Sequence, residues 1–291
     1  MRNILQGFIF LMSLLLFSCK KNDGVSVEGK KINFIFRFDS TQARLDGFGN
    51  PAPVAAGRAA QSPRFNKMSA HYLELTPDQF TALGSGQVLY HTPETTAGGS
   101  RAIDFSQSIF AGNNETFLSV PVKSFTAGTY NWLRVSLAYQ NYNVWVKANG
   151  FTIDGTIASF IGYNTYINNY KIKDSTVAVQ SNKLQGYWAF EAAVAGFGFV
   201  QSGQAPPGAT TVPNPLFASS PVPAGSCVVT GKLANPLVIT GNETADINII
   251  VSLSVNKSFE WVNADGNTSY DPLNGDAVVD MGIRGMIPFR Q

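Results

Sequence analysis

Asp246-Ile247-Asn248-Ile249-Ile250-Val251-Ser252-Leu253-Ser254-Val255 is the stretch on which the fold turns. Ile247, Ile249, Val251, Leu253 and Val255 recur at every second position, with Asn248, Ser252 and Ser254 between them. Successive side chains of an extended chain point to opposite faces, so this spacing builds one apolar face and one polar face. The stretch reads as a strand that covers a core on one side. Lys31-Ile32-Asn33-Phe34-Ile35-Phe36-Arg37-Phe38 repeats the pattern near the other end of the chain, with Ile32, Phe34, Phe36 and Phe38 on one face.

Between these strands the chain keeps the same style. Residues 46–69, rich in Gly, Pro and Ala, read as a long loop, and Ser69 to Leu75 as a strand. Thr76 can cap one short helical turn that opens at Pro77. Phe117–Val122 and Tyr130–Tyr139 flank Thr126-Ala127-Gly128 and read as a hairpin, with Leu133, Val135, Leu137 and Tyr139 inward and Arg134 and Ser136 outward. Val144–Lys147 and Thr156–Ile161 come next as strands, and Phe259 and Trp261 carry another near the end. Tyr187–Val200 reads as one strand bent or bulged at Gly196 and Gly198. Residues 203–225 hold Pro206, Pro207, Pro213, Pro215, Pro221 and Pro223, too many missing donors for a central strand. They read as a surface loop rather than a linker, because the chain beyond residue 225 is too short for a separate core. The expected fold is all-β: an antiparallel β-sandwich with long Pro/Gly-rich loops, a single domain over residues 31–291, and a closed barrel as the alternative.

The N-terminus carries an address. Arg2 precedes an apolar run from Gly7 to Phe17, shorter than the roughly 20 apolar residues a bilayer span needs. It suits a secretory signal peptide over residues 1–18. Leu16-Phe17-Ser18-Cys19 resembles the lipobox of bacterial lipoproteins. That resemblance implies cleavage before Cys19, a diacylglycerol on its thiol, and a membrane partner reached through the lipid anchor. Residues 19–30 then form the tether. Position 20 is Lys rather than Asp, and Lys20-Lys21-Asn22-Asp23 resembles the surface-export tether of Bacteroidota lipoproteins. Outer-membrane attachment is therefore expected, facing the cell surface or else the periplasm. Asp39-Ser40-Thr41 and Asp174-Ser175-Thr176 resemble the O-glycosylation triplet of that phylum, and also suit turns.

Composition narrows the partners. The chain carries 21 Lys and Arg against 19 Asp and Glu, and only 14% of its residues are charged. No basic cluster is long enough to imply nucleic acid. With Cys19 acylated, Cys227 is left alone, so no intramolecular disulfide forms and an ordinary core must hold the fold.

The chemistry-bearing motifs are few. The two histidines, His71 and His91, lie outside any metal-ligand spacing, though either imidazole can converge in space with Glu74, Glu94 or Asp104. Asp265, Asn267, Ser269, Asp271 and Asp276 set oxygens at positions one, three, five, seven and twelve of a calcium loop. Tyr270 stands where that loop needs Gly, and a polar hairpin loop is the competing reading. No other cofactor is implied. Glu191, Glu243, Asp246 and Glu260 are the candidates for a glycosidase-type carboxylate pair, with Glu191 foremost. No GxSxG motif and no phosphate-cradling loop occur. Tyr139, Tyr142, Tyr163, Tyr166 and Tyr170 alternate with amides, a pattern that suits a glycan or a surface protein, or tyrosines packed over a sheet.

The order of a Phe-rich first strand, the Gly128-Thr129-Tyr130 turn and the late strand from Ile249 to Phe259 resembles periplasmic MbnP-like domains. Some of those handle copper. The cysteine motif of part of that group is missing here. The functional expectation is a lipid-anchored binding or structural lipoprotein rather than an enzyme. The alternatives are a glycan-processing hydrolase and a metal-binding module taking calcium or copper.

Overall fold

A computed structural model describes residues 29–291 apart from 48, 195, 206–222 and 224. The proposed signal peptide, Cys19 and most of the Pro-rich segment therefore lie outside the described residues. Among those described, the regular structure is strand with three short 3-10 turns, and no helix is long and apolar enough to cross a membrane.

Both alternating stretches sit at the centre of one sheet. β1 (Lys31–Asp39) pairs with β15 (Ile247–Ser254), flanked by β7 (Glu115–Pro121) and β18 (Met286–Arg290). β1 and β15 run parallel, and their register sets Ile32 beside Ile247, Phe34 beside Ile249, Phe36 beside Val251 and Phe38 beside Leu253. Two apolar faces thus become one. The opposing layer is the middle of a seven-stranded sheet. It includes β3 (Arg64–Thr76), β4 (Gln87–His91), β8 (Gly128–Ala148) and β14 (Cys227–Ile239). Phe34, Phe36, Ile249, Val251 and Leu253 from the first sheet meet Leu73, Leu75, Leu133, Val135, Val229 and Leu237 from the second in one continuous core. Two sheets facing across shared side chains make the expected sandwich.

β8 is the spine of the large sheet. One side bonds β3 from Trp132 to Asn143; the other bonds β14 along its first half and β9 (Phe151–Phe160) along its second. The partner changes at Ala138, which is skipped in the β3 register and whose carbonyl accepts N–H groups of Ile161 and Gly162 at 2.9 and 3.0 Å. This bulge reverses the alternation. Before it, the odd-numbered Leu133, Val135 and Leu137 enter the main core. After it, the even-numbered Tyr142, Val144 and Val146 join a second cluster with Phe259 and Trp261, while Tyr139 joins a third. The second cluster lies under a small sheet of β2 (Arg58–Gln61), β16 (Phe259–Val262) and β17 (Ala277–Asp280). The third lies under β5 (Glu94–Thr95), β6 (Ala102–Asp104), β10 (Asn164–Lys171) and β11 (Thr176–Leu184). β12 (Tyr187–Val194) and β13 (Phe197–Gln204) complete the large sheet beyond β9.

Several local expectations change. Phe117–Val122 and Tyr130–Tyr139 do not form a hairpin: β7 joins β1 and β8 joins the opposite layer. A 3-10 turn at Val122–Ser124 carries the chain from one sheet to the other, and Phe117 stacks on Phe36 at 4.5 Å. Tyr187–Val200 is not one bent strand but two, folding back at Gly196, whose φ of 84° only glycine adopts without strain. Arg134 and Ser136 do not face solvent; both are buried, because residues after β3 cover that face of the sheet. The loop expected over 46–69 contains β2 and the start of β3. After Thr76 the chain makes a turn, not a helical one, with Asp78 bonding the Phe80 N–H. The pairs β1–β15 and β6–β10 are parallel; the other strand pairs are antiparallel. The Pro-rich segment joins β13 and β14, two strands of the same sheet.

Phe36 is fully buried on the central strand. Phe36→Ala is expected to cost about 3–5 kcal/mol in urea unfolding. A loss below about 1 kcal/mol would mean that β1 does not sit between the two layers.

Candidate functional site

The chain's two histidines meet where the large sheet touches the sheet of β5, β6, β10 and β11. His71 lies on β3 and His91 ends β4; the antiparallel register pairs His91 with Tyr72, and the two imidazole centroids are 4.6 Å apart. The Thr92 N–H bonds the His71 carbonyl at 2.8 Å, and its hydroxyl bonds the Ala70 carbonyl at 2.9 Å. These bonds turn the chain so that β5 delivers Glu94 beside both rings. One ligand atom from each of His71, His91 and Glu94 falls within 4.8 Å of the others. His71 is fully buried and His91 is exposed, so the group has one floor and one open side.

Glu94 organises the cluster. One carboxylate oxygen lies 3.1 Å from His71 Nε2 and accepts the Tyr163 hydroxyl at 3.0 Å; the other pairs with Arg101. Tyr163 and Arg101 come from loops that Asn164 ties together, its amide bonding the Arg101 carbonyl at 2.9 Å. Burial pushes the Glu94 carboxyl up, but hydrogen bonds from His71, Arg101 and Tyr163 outweigh it and bring its pKa down to about 2. Burial, reinforced by the neighbouring His71, holds His91 below its ordinary 6.5. The His71 Nδ1 is buried without a hydrogen-bond partner. Two imidazoles, one of them held uncharged at neutral pH, and an ionised carboxylate are donors suited to a transition-metal ion.

Of the three acids that could converge with the imidazoles, only Glu94 joins them. Glu74 accepts the N–H groups of Gly84 and Gly86 and lies 3.5 Å from Arg134, while Asp104 caps a 3-10 turn. Arg101 has no sequence signal: a lone arginine in a Gly/Ser-rich loop carries no pattern. Tyr163, a candidate for ligand stacking by its sequence setting, is half-buried and donates its hydroxyl to Glu94.

The other candidates take structural places. Tyr139, Tyr142 and Tyr170 are buried in the core, which corrects their reading as rings offered to a glycan. Tyr166 is half-buried on β10. In the candidate calcium loop the oxygens accept bonds from the loop itself, as the polar-hairpin reading has it. Asp265 takes the Asn267 N–H, Asn267 takes the Ser269 N–H, and Asp271 takes the Leu273 N–H; Asp276 takes those of Ala264 and Asp271. Among the described residues, the His, Cys, Asp and Glu side chains that gather within metal-binding distance are those of His71, His91 and Glu94. Glu191, foremost of the candidate catalytic acids, caps the turn between β10 and β11, accepting backbone N–H groups of Lys173, Asp174 and Ser175. Glu260 is buried among Arg44, Arg58 and Arg284; Glu243 takes the Thr240 N–H, and Asp246 takes the Lys31 N–H. Asp39 likewise bonds the Thr41 and Gln42 N–H groups, so both Asp-Ser-Thr triplets sit in turns.

No family model, curated protein or solved structure matches the chain.

Burial pushes the Glu191 carboxyl up, but the backbone donors and the Ser175 hydroxyl overcome it and leave its pKa lowered. A lowered carboxylate stabilises the fold above its ordinary pKa of 4.5 and loses that effect as pH falls through the folded value. Glu191→Gln is therefore expected to cost about 1–3 kcal/mol at pH 7. Urea unfolding of the two proteins should converge in acid; a gap that persists below the folded pKa would contradict the ionised cap.

Proposed function

We propose that this chain is a lipid-anchored, extracytoplasmic binding lipoprotein of the outer membrane whose ligand is a transition-metal ion held by His71, His91 and Glu94. One observation carries the reading: the only two histidines of 291 residues converge, with a carboxylate, at the seam of two sheets. Imidazole and carboxylate donors suit copper and zinc, and the general affinity order favours Cu(II). Tyr163 would orient the Glu94 carboxylate, and the exposed Arg101 would leave it to make room for the ion. The lipobox supports the anchor, because signal length, basic flank and cysteine position agree.

Titration of Cu(II) into the full chain in detergent, read by calorimetry, is expected to show one bound equivalent. His91→Ala, on the exposed side, should weaken binding by at least about 10- to 100-fold, and Tyr163→Phe by about 10-fold. Unchanged affinity in His91→Ala would sink the assignment. Separately, fatty-acid labelling in cells should disappear in Cys19→Ala; labelling that persists would remove the anchor but leave the metal reading standing.

A further inference from the structure

At another margin of the large sheet, β8, β9, β12 and β13 and the segment from Phe259 to Met281 enclose a cleft of about 690 Å³. Its size falls in the range of small-molecule sites, roughly 300–1,000 Å³. Five rings face it: Trp188, Phe190, Phe199, Phe259 and Tyr270. Phe199 and Leu273 are 52% and 63% exposed, so an apolar rim meets solvent. Contiguous exposed apolar surface of this kind marks a binding region more often than it marks plain packing.

The charge of the lining limits the occupant. Among the described residues it contains no lysine, arginine or histidine. Its one acid, Asp276, is buried and already accepts the Ala264 and Asp271 N–H groups at 3.0 and 2.8 Å. An anion entering the cleft would lose water and meet no cation, and a cation would meet no available carboxylate; either is costly. An uncharged molecule meets neither penalty, and flat rings find aromatic faces to stack on. Gln201, on the solvent side of the lining, offers an amide to a single polar group of the ligand.

We infer that this cleft binds an uncharged, ring-bearing apolar small molecule. The site is separate from the histidine cluster and does not rest on the metal reading.

Benzophenone, a neutral diaryl ketone that crosslinks on irradiation, is a direct probe, with anionic 4-benzoylbenzoate as its charged counterpart. Irradiation of the full chain in detergent, with peptide mass spectrometry as the readout, is expected to concentrate label on Trp188–Ala205 and Phe259–Met281. The anion should label these peptides at least tenfold less. Ala277→Trp, at an exposed lining position, fills the cleft and should remove the label; Ala148→Trp, also lining it, serves if the first variant does not fold. Gln201→Lys should admit the anion. Label spread evenly over other exposed rings such as Phe80 and Phe151, or label unchanged in the folded tryptophan variant, would overturn the inference. So would sedimentation showing the cleft occupied by a second copy of the chain.

Discussion

The parallel contact between β1 and β15 is the constraint on which the rest of the structure depends. Each strand alone has an apolar face that water opposes. Side by side in register, Ile32, Phe34 and Phe36 with Ile249, Val251 and Leu253 form a continuous surface that only a second sheet can cover. The partners are separated by most of the chain, so closing them is entropically slow and requires β15 to be present. Apart from β7, which pairs with β1, the strands between β1 and β15 lie outside this sheet, and the chain must leave it and return. The large sheet, built around β8, is what that excursion makes.

Such a core tolerates charges only where they are matched. Glu74 and Arg134 are both buried between the large sheet and the segment just after β3. Two backbone N–H groups and the Gln79 carbonyl supplement their 3.5 Å contact. Glu260, on β16 of the small sheet, is buried with Arg284 at 2.9 Å, and Arg284 also reaches Asp280 at 2.6 Å. Burial and the nearby Glu260 raise the Asp280 pKa, and Arg284 opposes them. Removing one member of such a group leaves an unpaired buried charge, which is more damaging than never having had the pair. The acids that the sequence offers as catalytic candidates are thus mostly fasteners.

The bulge at Ala138 shapes the seams between the layers. By reversing which side chains of β8 face the main core, it lets one strand serve three separate packing clusters. Smaller sheets then cover the far half of the large sheet. The histidine cluster sits at the edge of one of them and the apolar cleft beside the other. Both lie where layers meet rather than on a sheet's open face, and seams of this kind bring together side chains from distant parts of the chain.

Alternation alone was enough to establish an all-β chain, the two central strands and the inward residues of β8 before the bulge, because period-2 patterning is a local property of extended backbone. Partner choice was not local. The turn chemistry at Thr126–Gly128 is compatible with a hairpin, yet β7 pairs with β1 and Phe117 stacks on Phe36. Gly196 could bend a strand or reverse it, and the free edge of β12 decided for reversal. The histidines were visible as residues but not as a site: 20 positions apart, they become neighbours only through the pairing of β3 with β4. Glu94 was within the set of possible partners, whereas Arg101 and the aromatic cleft had no sequence signature, since loops and scattered rings acquire meaning only when sheets curve them together. The opening segment is the reverse case. Its proposed reading as an exported, acylated segment rests on the order of residues from Arg2 to Cys19 and owes nothing to tertiary structure, because an address of that kind is recognised as linear chain.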